Sequence, residues 1–189
     1  MRMERRSILA ALGALAAAPL ALRARRAAAA LPKSMDEVRA LQAEWRGLLA
    51  PGTQVPAPDD RLTLSEAEWR KRLSPKQFEV LREEGTERAY TSPLDREKRA
   101  GVFACAGCGL PLFTSAMKFD SGTGWPSFFT TIPGVFGTKK DSKLLFMVRT
   151  EYHCIRCGGH HGHVFDDGPP PTGLRYCNNG VALKFIPKA

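Results

Sequence analysis

The sequence predicts a mainly β fold, antiparallel and arranged as a sandwich or small barrel, with short helices confined to the chain before Gly101. Three observations carry this. After Gly101 the apolar residues come in short runs rich in β-formers, separated by Gly, Pro or Asn/Asp clusters. Before it, three Ser-led helix starts follow one another. Two C-x-x-C-G units, with 45 residues between Cys108 and Cys154, supply the means to staple the sheets.

The 189 residues suit one domain with appendages, and a 43% hydrophobic fraction is enough for a core. Of the nine net positive charges, five sit in residues 1–30, which hold six Arg and one Glu. The +4 that remains for the rest of the chain is too weak a basic footprint for a nucleic-acid partner. The expected division is a signal at residues 1–30, a helical extension and linker at 31–60, and a β domain at 61–189.

Residues 1–7 carry three arginines, the fifteen residues 8–22 are uncharged and Ala/Leu-rich, and Arg23, Arg25 and Arg26 close the stretch. As a helix that stretch extends roughly 22 Å, short of the ~30 Å hydrocarbon core, so no permanent membrane span is expected. Basic, apolar and small-residue tracts in this order fit a cleaved export signal. Arg5-Arg6 before Ser7-Ile8-Leu9 is similar to a twin-arginine signal, although Glu4 stands where Ser or Thr is usual. The expected location is an exported one, a bacterial periplasm.

Ser34-Met35-Asp36-Glu37 has capping-box spacing, and Val38, Leu41 and Trp45 follow at helical intervals until Pro51-Gly52. Residues 52–60 read as a linker. Ser65-Glu66-Ala67-Glu68 starts a second helix, and Ser74-Pro75-Lys76-Gln77 a third with Gly85 as its left-handed terminal residue. Strands are expected at 102–105, 144–148, 151–154, 163–165 and 181–186.

Cys105, Cys108, Cys154 and Cys157 make a four-thiolate tetrahedral set, which is closed and therefore a structural zinc site for one ion. Two disulfides, or redox-active C-x-x-C pairs, are the competing readings. Neither unit sits at a strand-to-helix junction, and both carry the glycine of a zinc knuckle. An oxidising compartment favours disulfides. A twin-arginine route carries folded cargo, so zinc could be inserted and the thiols protected before exit.

One cysteine is left over. Cys177 follows Arg175 by two residues, so in a strand the two share a face, with Asn179 next on it. His160, His161 and His163 gather three of the four histidines beside the second knuckle. A thiol, an arginine and a histidine cluster with no spare metal suggest nucleophilic thiol chemistry with acid assistance.

These features together resemble the type B methionine sulfoxide reductases, the peptide-methionine (R)-S-oxide reductases. The resemblance rests on Gly85-Thr86-Glu87, the two C-x-x-C-G units, residues 118–128 (KFDSGTGWPSF), residues 160–169 (HHGHVFDDGP) and residues 171–177 (PTGLRYC), and it spans about 62–187. It implies two antiparallel sheets forming a barrel-like body with short helices packed outside. It also implies that Cys177 is the nucleophile, that His160 and His163 hold and protonate the departing oxygen, and that Trp125 packs against the substrate methyl. Asn179 and Arg175 line the site, Arg175 lowering the thiol pKa. The four knuckle cysteines match the zinc ligands. The implied partners are oxidised proteins or peptides containing methionine-R-sulfoxide and a thioredoxin-like reductant.

Three departures stand out. Thr123 occupies the position where many members have a resolving cysteine, so a one-cysteine cycle is expected, in which an external thiol reduces a sulfenic acid on Cys177. His161 stands where Leu is common, and Asn178 where Ile is common, and both are expected to alter the pocket wall. The rival function is a non-catalytic, zinc-stapled binding module.

Overall fold

The computed structural model describes residues 30–144 and 147–189, so all of the expected signal except Ala30 lies outside the described residues. Among the described residues no helix is long and apolar enough to cross a membrane. Helix α1 (Met35–Ala43) begins at Ser34, whose Oγ accepts the Glu37 amide at 3.2 Å, and runs into a 3₁₀ turn at Glu44–Leu48. Its inner face is Val38, fully buried. Gln42 donates to Thr130 Oγ1 at 2.8 Å and to the Thr131 carbonyl at 3.0 Å, which ties the extension to the body. The following segment reaches the second knuckle, where Asp60 pairs with Arg156 at 2.7 Å and the Leu62 amide donates to the Arg156 carbonyl at 2.9 Å.

Helices α2 (Glu66–Arg72) and α3 (Pro75–Glu83) both open with complete reciprocal capping boxes, Ser65 with Glu68 and Ser74 with Gln77. Each cap satisfies otherwise unpaired first-turn amides and is worth about 1 kcal/mol. Trp69, Phe78, Val80 and Leu81 turn inward to the core. The left-handed residue after α3 is Glu84 (φ 57°), not Gly85 as the glycine's placement suggested. The helix unwinds one residue earlier, and the Glu84 and Gly85 amides both close on the Glu79 carbonyl.

The β body has two antiparallel sheets. In the smaller, β1 (Gly101–Cys105) lies between β2 (Pro111–Thr114) and β9 (Leu183–Pro187). The larger has six strands. Their order is β3 (Lys118–Phe119), β4 (Ser127–Phe128), β8 (Arg175–Asn178), β7 (His160–Phe165), β6 (Met147–Cys154) and β5 (Phe136–Leu144). The sheets do not close into the barrel that the resemblance implied. They share no strand and meet through aromatic side chains: Phe113 stacks on Phe128 at 3.9 Å, and Phe103 meets it edge-on at 5.1 Å. The strand expected at 144–148 is instead where two strands meet. Leu144 ends β5 and pairs with Met147 at the start of β6, with 145 and 146 outside the described residues. The run expected at 181–186 opens as a 3₁₀ turn, Gly180–Ala182, before β9.

The register of the large sheet separates its two faces. Phe128, Tyr176 and Val164 align across β4, β8 and β7 and join the hydrophobic core. One residue along, Ser127, Cys177, His163, Glu151 and Lys139 form a row across β4, β8, β7, β6 and β5. Side chains alternate along a strand, so this second row lies on the face turned away from the core. One face holds the fold together and the other carries polar chemistry.

Candidate active site

Cys177 and His163 are direct cross-strand partners, and both line a cleft of about 120 Å³ whose walls include Trp125, Arg149, Phe165 and Asn179. Gly162 permits this closeness, since a Cβ there would collide with the Cys177 carbonyl oxygen. The Cys177 thiol is only partly exposed. Burial pushes its pKa above the ordinary thiol value, and Arg175 and the Thr123 hydroxyl, which both pull it down, do not overcome that. Burial likewise lowers the His163 pKa, opposed by a hydrogen bond to Asp141. Both shifts favour a neutral thiol beside a neutral imidazole over a thiolate–imidazolium pair. Arg175 does pull the Cys177 pKa down, as expected, but desolvation is the larger effect.

Arg175 is itself held. Its Nε and Nη2 donate to Asp167 Oδ1 and Oδ2 at 2.8 Å each, and its guanidinium lies 4.3 Å over the Phe165 ring. Trp125 is half-buried, with its indole N–H donating to the Glu87 carbonyl at 3.1 Å. Glu87 is the fastener of this wall. Its carboxylate accepts the Gly180 and Val181 amides at 2.6 and 2.9 Å, and its own amide donates to Asn179 Oδ1 at 2.9 Å. Asn179 reaches the cleft, but it does not continue β8 as the alternation argument assumed. It turns back to the His161 carbonyl through its amide (2.8 Å) and its Nδ2 (3.1 Å).

The histidines separate in position through a β-bulge. Tyr152 pairs with Gly162, but His153 pairs with His160, so His161 is the extra residue on β7. The bulge brings His160 to the side of His163, with ring centroids 5.5 Å apart. His160 is buried behind the cleft rather than in its wall, with Nδ1 3.1 Å from Glu151 Oε1, while Glu151 Oε2 lies 3.3 Å from Lys139 Nζ. His161 falls into the core between Phe136 and Tyr152, and burial lowers its pKa to about 3. It is no part of the pocket wall. Asn178 lines the cleft and accepts the Tyr152 hydroxyl at 2.8 Å on its Oδ1.

Asp141, Arg149 and Glu151 escaped the sequence reading. Asp141 Oδ2 meets His163 Nε2 at 2.8 Å and Arg149 Nη2 at 2.7 Å. The available signal was the alternation of Lys139 with Asp141, and of Arg149, Glu151 and His153, at every second position of neighbouring strands. Thr123 stands at the end of a hydroxyl chain: Ser121 Oγ is 2.8 Å from Thr123 Oγ1 and 2.7 Å from Ser127 Oγ.

The four knuckle cysteines converge, all buried, with their sulfurs within 4.8 Å of one another. Two sulfur contacts cross between knuckles, Cys108 with Cys154 at 3.5 Å and Cys105 with Cys157 at 3.7 Å. Sulfurs at ~2.3 Å from a tetrahedral zinc would be about 3.8 Å apart, so the donors fit that ion. None of the five cysteines is in a disulfide. Gly109 and Gly158 take positive φ (77° and 68°), closing each turn with an amide donated to the Cys105 or Cys154 carbonyl at 2.8 Å. Arginines surround the set: Arg72, Arg82 and Arg156 donate to the carbonyls of Gly107 (2.7 Å), Cys157 (2.8 Å) and Cys108 (3.3 Å), and Arg61 donates to that of Ile155. Their charge offsets that of four thiolates, and the metal they would hold ties β1 of one sheet to β6 of the other.

A family model described as the SelR domain matches residues 73–187. The chain is 50% identical over 140 residues to the peptide methionine sulfoxide reductase MsrB of Bradyrhizobium diazoefficiens, covering 73% of this chain and 99% of that protein. It is 52% identical over 124 residues to the MsrB of Thiobacillus denitrificans (66% of this chain, 94% of that protein). To the MsrB of Methanosarcina barkeri it is 53% identical over 121 residues (64% and 85%).

Proposed function

We propose, from the premise that this chain belongs to the type B methionine sulfoxide reductases and reduces peptide methionine-R-sulfoxide, that it does so by a one-cysteine cycle on Cys177. The observation that carries this reading is the placement of Cys177 opposite His163 in the cleft that Trp125 walls.

The sulfoxide side chain enters with its methyl group against Trp125. His163 takes the thiol proton, and the Cys177 sulfur attacks the sulfoxide sulfur. The oxygen passes to Cys177, and the proton goes with it from His163. Thiol and sulfoxide thus become sulfenic acid and thioether, the substrate sulfur gaining the two electrons that the cysteine sulfur loses. His160, behind His163, keeps that ring in place. Arg175 and Thr123 stabilise the transient thiolate. An external thiol, of thioredoxin-like type, then displaces water from the sulfenic acid to give a mixed disulfide. A second thiol releases the Cys177 thiol and a disulfide. The metal site is structural and takes no part in these steps. Export through a twin-arginine-type signal belongs to the same proposal, supported by Arg5-Arg6 and the apolar stretch behind them.

The test is reduction of dabsyl-methionine-R-sulfoxide with dithiothreitol, followed by dimedone trapping when substrate is given without reductant. Activity lost in Cys177→Ser, with one dimedone adduct on Cys177, is the expected result. An inactive wild type would favour a binding module, and an intramolecular disulfide in place of the adduct would overturn the one-cysteine cycle.

A further inference from the structure

An imidazole that must both take and give a proton next to a buried thiol needs one ring nitrogen kept free and its cationic form supported. The His163 Nε2 is 2.8 Å from Asp141 Oδ2, and Asp141 is buried with 7% of its surface exposed. A carboxylate accepts only, so Nε2 carries the proton and the neutral ring keeps its lone pair on Nδ1. Arg149 Nη2 shares the same carboxylate oxygen at 2.7 Å, and its side chain is itself in the cleft wall. Asp141 is 22 residues from His163 in sequence and reaches it from β5, two strands away.

We propose that Asp141 is the positioning residue of His163, fixing the tautomer that presents Nδ1 to Cys177 and supporting the imidazolium formed while the proton is in transit. Cys177, His163 and Asp141 then make a thiol–imidazole–carboxylate line across the outer face of the large sheet. The arrangement rests on the proposed role of His163 as proton carrier. Asp141 is not among the residues that line the cleft, and it acts through the side chains it holds, the His163 ring first and Arg149 beside it. The other groups facing that ring are Arg149, His160 and, next in the row, Glu151 and Cys177. Arg149 and His160 act against its charge, and Asp141 is the hydrogen-bonded anion that acts for it.

The test has two arms. In the first, the wild-type chain is labelled with 15N-histidine, and the His163 ring shifts are assigned through His163→Gln. The neutral ring is expected to be protonated at Nε2, and a ring protonated at Nδ1 would overturn the proposal without recourse to any variant at Asp141. In the second, Asp141→Asn is assayed against pH. A 10- to 100-fold fall in kcat, a KM within about twofold, and partial rescue by Asp141→Glu are expected. The carboxylate raises the His163 pKa, so its loss moves the acid limb of the kcat/KM profile to lower pH. Wild-type kcat and an unmoved limb in a folded Asp141→Asn protein would sink the positioning role. Unimpaired activity in His163→Gln would instead remove the proton-carrier reading beneath it.

Discussion

Cys177 on β8 and Ser127 on β4 are cross-strand partners, as Cys177 and His163 are on its other side. Cys177 therefore sits between a hydroxyl chain and an imidazole. The chain that runs Ser127, Ser121, Thr123 ends at the thiol, where the Thr123 hydroxyl favours the anion. Sequence alone gave Thr123 only as the absence of a second thiol.

That contact makes Thr123→Cys a direct test of geometry. A thiol introduced there would lie within reach of the sulfenic acid proposed for Cys177. After one turnover without reductant the variant should form a 123–177 disulfide, seen by mass spectrometry, and the dimedone adduct should drop at least tenfold. Retention of the adduct at wild-type yield would mean that the loop holds position 123 away from Cys177.

Arg175 lowers the Cys177 pKa while burial raises it. Removing the cation in Arg175→Met should push the thiol up further, because the charge that opposes burial is gone. The pH dependence of iodoacetamide alkylation at Cys177 reads this directly, its midpoint moving to higher pH. An unmoved or lowered midpoint would show that the Asp167 pair leaves Arg175 without influence on the sulfur.

His161 is buried at 0% exposure, and neither ring nitrogen has a geometrically good hydrogen bond. Unsatisfied buried polar groups cost about 1–3 kcal/mol, so His161→Leu should stabilise the fold by about 1 kcal/mol at pH 7 in urea denaturation. The gain should grow on acidification. The unfolded imidazole takes a proton near pH 6.5 while the folded one stays neutral to about 3, so the wild type loses stability as pH falls through that window and the leucine variant does not. Equal stability of the two proteins at pH 7 and at pH 5.5 would refute both parts.

Metal content should be one zinc per chain, and a strong chelator should lower the melting temperature by roughly ten degrees or more. Cys154→Ser should do the same without chelator. Full thermal stability in a protein shown to be metal-free would mean that the crossed sulfur pairs need no ion to hold the sheets.

Much of this was legible in the residues. Ser65 with Glu68 and Ser74 with Gln77 form the caps that their spacing announced, because a cap is settled within four residues. The knuckles were as clear, since C-x-x-C-G fixes its own turn. β5 was not. Its sequence, FGTKKDSKL, is poor in β-formers and rich in lysine, because its partner β6 supplies the pairing and one of its faces is polar. The parity of the histidines was also hidden: simple alternation groups His161 with His163, and only the bulge on β7 exchanges His161 for His160. Asp141 could not be assigned to His163 from any motif, since their contact depends on the registers of two strand pairs at once.

The last strand has a consequence for how the chain comes into being. β9 flanks β1 in the smaller sheet, so the strand leading into the first knuckle lacks one neighbour until residues 183–187 have emerged. A chain made only as far as residue 182 therefore holds all four thiolate donors while β1 still has an open hydrogen-bonding edge. An ion held by those donors would bridge β1 and β6, so its capture would report on the joining of the two sheets and not on the docking of β9.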